Sequence, residues 1–245
     1  MLRMIQIDKS FNIGTINEKQ IFQGLNLTIR DGDFITVIGG NGAGKSTMLN
    51  LIAGVHKADG GRIILDGEDL TYKNETQRAK YIGRVFQDPM MGTAPTMMIE
   101  ENLAMAYRRT KRRTLAWGIS QKERELYRAS LAQLGLGLED RMKTKVGLLS
   151  GGQRQAVTLL MATLQKPKLL LLDEHTAALD PATSAKVLQL SDQIIREHGL
   201  TALMVTHNMQ DAINYGNRLV MMDKGRIILD IRGEEEQQLT IEDLL

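Results

Sequence analysis

Residues 39–47, Gly-Gly-Asn-Gly-Ala-Gly-Lys-Ser-Thr, constrain the fold of this chain more than any other stretch. They match G-x-x-x-x-G-K-[ST] and lie between an apolar strand-like run, Phe34–Ile38, and a helical run, Met48–Ala53. A buried strand, a glycine turn and a helix in that order make one βα unit of an α/β sheet. The turn is built for an anion. Gly39, Asn41, Gly42, Ala43 and Gly44 let backbone N–H groups converge, and the helix adds the positive end of its dipole. Lys45 is then placed to reach β- and γ-phosphates, Ser46 to ligate Mg²⁺, and Thr47 to hydrogen-bond an α-phosphate oxygen. A glycine turn without a ligand is the competing reading, and the strand and helix in register argue against it.

The rest of the chain alternates strand-like and helical runs, as an α/β sheet with covered faces requires. Met4–Ile7, Leu25–Ile29, Phe34–Ile38 and Arg62–Leu65 read as early strands. Tyr81–Phe86, Leu169–Leu172, Ala202–Val205 and Arg218–Met222 are candidates for a parallel sheet. Asp180-Pro181 predicts a helix start, with Asp180 as N-cap and the helix ending at Gly199. Between Asp88 and Leu148 the pattern turns helical. Ile99–Arg109 has helical spacing, and Ser120 with Glu123 predicts a capping box ahead of Tyr127, Leu131 and Leu134. This stretch reads as a helical insertion, and the acidic Gly233–Gln238 as a solvated tail.

Composition narrows the chemistry. A chain of 245 residues with formal charge +2 can bury one large core and presents no global field for polyanions. Without cysteine it has neither disulfides nor a Cys-based zinc site. No apolar run approaches the roughly 20 residues of a membrane span. The first 11 residues lack the apolar stretch of a signal peptide. The expected location is the cytoplasm.

Two further constellations carry chemistry. Leu169–Leu172 runs into Asp173-Glu174, so a buried strand delivers two carboxylates to the edge where α/β ligands sit. Asp173 is placed for the Mg²⁺ shell and Glu174 for an attacking water as general base. Leu149-Ser150-Gly151-Gly152-Gln153 precedes another helical run, so Ser150, Gly151 and Gly152 would offer a hydroxyl and free N–H groups as a second anion grip.

With these motifs in order the chain resembles the ATP-binding cassette (ABC) family, the nucleotide-binding ATPase subunits of ABC transporters, in the style of bacterial importers. Residues 149–153 match the family signature without mismatch. The resemblance implies an α/β fold: a RecA-like P-loop NTPase core, an antiparallel β subdomain and an inserted α-helical subdomain. On it, 1–88 and 155–235 are the core, about 89–154 the helical subdomain with the signature, and 236–245 a tail. It also assigns roles. Phe11 stacks on adenine; Gln87 is the glutamine-loop residue, near the reaction and in the Mg²⁺ shell; Asp173 is the magnesium carboxylate and Glu174 the catalytic base. Ala178-Leu179-Asp180 is the D-loop, and His207 is the switch histidine on the γ-phosphate. Ser150, Gly151, Gly152 and Gln153 contact the ATP of the other subunit in a head-to-tail dimer. His175 stands where the family usually has proline, and Ala156 and Met161 where it usually has arginine.

The cofactors so implied are ATP and Mg²⁺. The implied partners are a second copy or another ABC subunit, integral membrane permeases and a solute-binding protein, with no nucleic acid. The implied function is ATP-driven transport of a small solute, with an amino acid as one option, from the inner face of the membrane. Met90, Met91, Met97 and Met98 could meet a permease or pack inside the subdomain. The basic run Arg108, Arg109, Lys111, Arg112 and Arg113 could face lipid headgroups or solvent. Two other readings stay open: a soluble ABC ATPase in translation, cluster assembly or DNA repair, and a phosphate-loop kinase. The kinase would leave the signature and His207 without a task.

Overall fold

Residues 1–110, 118–233 and 242 are described by the computed structural model of the chain. They divide into two units, Met1–Ile82 with Gly199 onward, and Gly83–His198. Elements below are numbered in chain order.

The first unit holds an antiparallel sheet and a mainly parallel one. The antiparallel sheet has the order β2-β1-β4-β5, built from β1 (Leu2–Phe11), β2 (Lys19–Ile29), β4 (Gly60–Leu65) and β5 (Glu68–Asp69). Its register sets Leu2 against Ile29 and Met4 against Leu27. Leu25, Leu27 and Ile29 are buried while Asn26 and Thr28 are exposed, the alternation of a sheet with one wet face. In the other sheet β3 (Phe34–Gly39) is paired in parallel with both β8 (Ala202–Val205) and β9 (Arg218–Asp223). Phe34–Ile38 are all buried, as a central parallel strand demands. Ile38, Ala212 and Leu219 form a small core there, with α7 (Met209–Asn214) packed on β3. β10 (Arg226–Arg232) returns antiparallel on β9 through Lys224-Gly225, whose φ of 43° and 76° make the left-handed pair of a tight hairpin.

Two buried arginines tie this unit together. Arg78, at the end of α2 (Glu75–Arg78), donates to the carbonyls of Leu51 (2.6 Å), Ile52 (2.9 Å), Thr71 (3.2 Å) and Lys73 (2.8 Å). Two of those belong to the last turn of α1 (Lys45–Ala53), where carbonyls lack helical partners. Arg218 binds both oxygens of Asp230 (2.7 and 2.6 Å), Asp33 (3.0 Å) and the Thr28 carbonyl (2.6 Å).

The second unit is mostly helical. Its strands β6 (Ile82–Val85) and β7 (Leu169–Asp173) are sheet neighbours. The helices are α3 (Ile99–Tyr107), α4 (Gln121–Ala132), α5 (Gly151–Thr163) and α6 (Pro181–His198), with a 3₁₀ turn at Val146–Leu148. The capping box expected at Ser120 is present: its Oγ accepts from Glu123 N (3.3 Å) and Glu123 Oε2 accepts from Ser120 N (2.8 Å). Asp180 caps α6 by accepting from Thr183 N (3.1 Å), and Gly199 leaves the helix at φ 57°. The helix expected to reach Arg109 stops at Tyr107. Met90 and Met91 are exposed, Met97 and Met98 half-buried. Arg108 is exposed and pairs with Glu123 (2.9 Å) within the unit. Lys111, Arg112, Arg113 and the tail 236–245, apart from Glu242, lie outside the described residues. No helix among the described residues is long and apolar enough to cross a membrane.

Candidate functional site

In the first unit the sequence places its anion grip at the carboxyl end of β3. Two glycines of the loop are required by close approach. A Cβ on Gly39 (φ 147°) would lie 2.2 Å from the Met222 carbonyl oxygen, and one on Gly44 (φ 104°) would lie 2.7 Å from the Phe22 ring. Gly44 is the N-cap of α1 and supplies no side-chain cap, so the first-turn N–H groups of that helix face the loop without a competing side chain. Ala43 is buried and its carbonyl accepts from Gly225 N (3.0 Å), which pins the loop to the β9–β10 turn. Lys45 is buried with its Nζ donating to the carbonyls of Gly39 (2.6 Å) and Gly40 (3.2 Å). The ammonium therefore lies over the loop. Ser46 is exposed and Thr47 half-buried on the same turn.

His207 follows β8, the direct parallel neighbour of β3, so it leaves the sheet at the same edge as the loop. Thr206 N donates to Val37 O (3.2 Å), and Asn208 caps α7 through Gln210 N (2.9 Å) and Asp211 N (3.3 Å). These fix the backbone on both sides of an exposed His207. Phe11 ends β1 half-buried. Its ring meets His56 edge-on at 5.2 Å, and Lys9 Nζ is 5.2 Å from its centroid. His56 was not anticipated in the sequence; it follows Gly54, the C-cap of α1.

In the second unit β7 delivers Asp173 half-buried at its end, and Glu174 follows in the left-handed region (φ 45°). A non-glycine residue there is uncommon and turns the chain sharply out of the strand. His175 is buried, with Nε2 3.0 Å from Ser191 Oγ, whose hydroxyl donates to Val187 O (2.8 Å). That hydroxyl proton is spent on the carbonyl, so the imidazole is the donor, as the neutral Nε2–H tautomer. Burial pushes His175 down to about 4. The residue replacing the family's proline thus anchors the exit of β7 to α6.

Asp173 has a partner that sequence reading missed: Arg84 Nη2 lies 2.9 Å from Asp173 Oδ2. The available signal was a lone charge in an otherwise apolar strand, Ile82-Gly83-Arg84-Val85-Phe86. Gln87 follows this strand and is exposed, while Gln155 Nε2 donates to the Phe86 carbonyl (3.2 Å) just before it.

The signature opens α5. Ser150 Oγ accepts from Gln153 N (3.3 Å) and Gln153 Oε1 accepts from Ser150 N (3.3 Å). The glycines are set by packing on the D-loop segment and the start of α6. A Cβ on Gly152 would lie 2.2 Å from Thr183 Cγ2, and one on Gly151 3.1 Å from Leu179 Cδ2. Asp180, holding Thr183 N, thereby fixes the same corner. The hydrogen bond to Thr183 keeps the Asp180 carboxyl below its usual range. Ser46, Gln87 and Asp173 all offer hard oxygen donors, the chemistry Mg²⁺ takes.

The profile of the family described as ABC transporter matches residues 22–177. A tyrosine transport ATP-binding protein of Clostridioides difficile (strain R20291) is 44% identical over 245 residues, covering 100% of this chain and 97% of that protein. The spermidine/putrescine import ATP-binding protein PotA of Haemophilus influenzae is 36% identical over 230 residues, 94% of this chain and 57% of that protein. Among solved structures, a dimeric post-hydrolysis state of the ATP-binding cassette MJ0796 with ADP and Pi superposes with a TM-score of 0.80. It is 28% identical and covers 95% of this chain and 98% of that one. The RecA-like core with an antiparallel β subdomain and a helical insertion is the fold of this chain.

Proposed function

The chain belongs to the ABC transporter family and is an ATPase, and on that premise we propose that it powers a multi-subunit importer for a small solute, an amino acid, through separate permease subunits. The observation that carries the ATP-binding half is the glycine loop. Backbone approach forces its conformation, and its helix begins without a side-chain cap. The solute class is supported by the full-length likeness to a protein named for tyrosine transport.

In this reading Lys45 moves from the loop carbonyls onto β- and γ-phosphate oxygens, exchanging two neutral acceptors for charged ones. Thr47 and the first-turn N–H groups of α1 hold the α- and β-phosphates, and Phe11 stacks on the base. Ser46, Gln87 and Asp173 are the residues that would hold Mg²⁺, which would supply charge neutralisation on the phosphates. Glu174 accepts a proton from the attacking water, and His207 donates to the γ-phosphate as negative charge grows there. The signature of a second copy closes the site, so two chains share two ATP molecules. Closure moves the permeases, against which the exposed Met90 and Met91 are the proposed contact.

Replacing Glu174 with glutamine keeps shape and removes the base. Steady-state ATP hydrolysis should fall by about 10²–10⁴-fold while nucleotide binding persists. Unchanged turnover would remove Glu174 from this role.

A further inference from the structure

Arg78, Arg84 and Arg218 are withdrawn from solvent, and they are not equivalent. Arg78 satisfies four backbone carbonyls, and Arg218 satisfies two carboxylates and a carbonyl. Those are structural rivets. Arg84 makes a single hydrogen bond among the described residues, from Nη2 to Asp173 Oδ2, and its Nε–H is buried without an acceptor. Its guanidinium carbon lies 4.6 Å from the centroid of the Phe86 ring. The two charged side chains are only 13% and 16% exposed, so water screens the pair poorly.

A guanidinium has five N–H donors, and a buried donor left unmet is costly. Arg84 is therefore held where it is by the charge of Asp173 and the face of Phe86, not by a saturated hydrogen-bond set. A carboxylate this poorly solvated needs a counter-charge at all times. We propose that Arg84 is the resident counter-charge of Asp173, competing with Mg²⁺ for that carboxylate and thereby setting the Mg²⁺ affinity of the chain. The inference rests on the reading of Asp173 as the magnesium carboxylate. A divalent cation reaching Asp173 either displaces Arg84 or binds beside a positive charge, and both weaken it. Arg84 is a positioning residue in this scheme and touches neither nucleotide nor water.

The test is equilibrium binding of a fluorescent N-methylanthraniloyl ATP to the intact chain, in excess EDTA and in Mg²⁺. The ratio of the two dissociation constants reports Mg²⁺ affinity without any turnover. Arg84→Gln keeps an N–H toward Asp173 and removes the charge; Arg84→Met is a second neutral variant should the first melt. Either should leave the EDTA value within about twofold and enlarge the Mg²⁺ ratio by about tenfold. Arg84→Lys, which keeps the charge, should stay near the wild-type ratio. A ratio unchanged or reduced in the neutral variants overturns the competition. Asp173→Asn separates this from the underlying assignment. Its ratio should collapse toward one, and a wild-type ratio there would instead remove Asp173 from the metal.

Discussion

His175 makes a stability prediction that can be worked through from its surroundings. The ring is buried and neutral in the folded chain, donating to Ser191, and its pKa is pushed down to about 4 by that burial. In the unfolded chain the same ring titrates near 6.5. Above that pH both states hold it neutral and it contributes no pH dependence. As pH falls the unfolded chain gains a proton that the folded chain refuses, so folding loses stability until about pH 4, where the folded ring titrates as well. Each pH unit in that window is worth about 1.4 kcal/mol. Relative to pH 7.5 the loss is about 1 kcal/mol at pH 5.5 and about 2–3 kcal/mol at pH 4.5. Urea unfolding of wild type and His175→Gln, without nucleotide and in EDTA, measures it. Carboxylates titrate in both proteins, so the difference between the two curves isolates the ring. The stability gap between them should change by about 2–3 kcal/mol across the window, in favour of the variant at low pH. Parallel curves from pH 7.5 to 4.5 would refute the buried neutral imidazole.

Arg78→Met leaves four backbone carbonyls without their donor, two of them in the last turn of the phosphate-loop helix. The expected loss is about 3 kcal/mol, read by calorimetry as a fall in Tm of roughly 6–12 °C. Phe11→Ala should weaken ATP binding by about tenfold, the worth of one stacked base. Affinity for inorganic tripolyphosphate should stay unchanged, so parallel losses for both ligands would assign Phe11 to packing.

Much of the site was legible because its chemistry is local. The glycine loop, the carboxylate pair after four leucines and the Ser-Gly-Gly-Gln helix start each carry their cause within a few residues. The helix caps at Ser120 and Asp180 were readable for the same reason. Non-local features were hidden. Gly152 looked like an anion grip alone, yet Thr183 leaves no room there for a Cβ. Arg84 and Asp173 are joined by strand neighbourhood, which no spacing rule encodes. β10 was overlooked although Lys224-Gly225 is a tight-turn pair, because the consecutive Ile227-Ile228-Leu229 breaks the period of two in the sequence. α7 is six residues long and rests on its Asn208 cap and contact with β3, too short for a helical period.

In the proposed scheme one chain carries two half-sites and ATP joins two chains. Light scattering on Glu174→Gln tests it most directly, because that variant should hold ATP without consuming it. With ATP the mass should rise to about twice the 27.4 kDa of the chain. With ADP, or when Ser150→Arg is added, it should remain that of one chain. A Glu174→Gln protein that binds ATP yet stays monomeric at every concentration, or a Ser150→Arg variant that still dimerises and hydrolyses normally, would contradict the shared site.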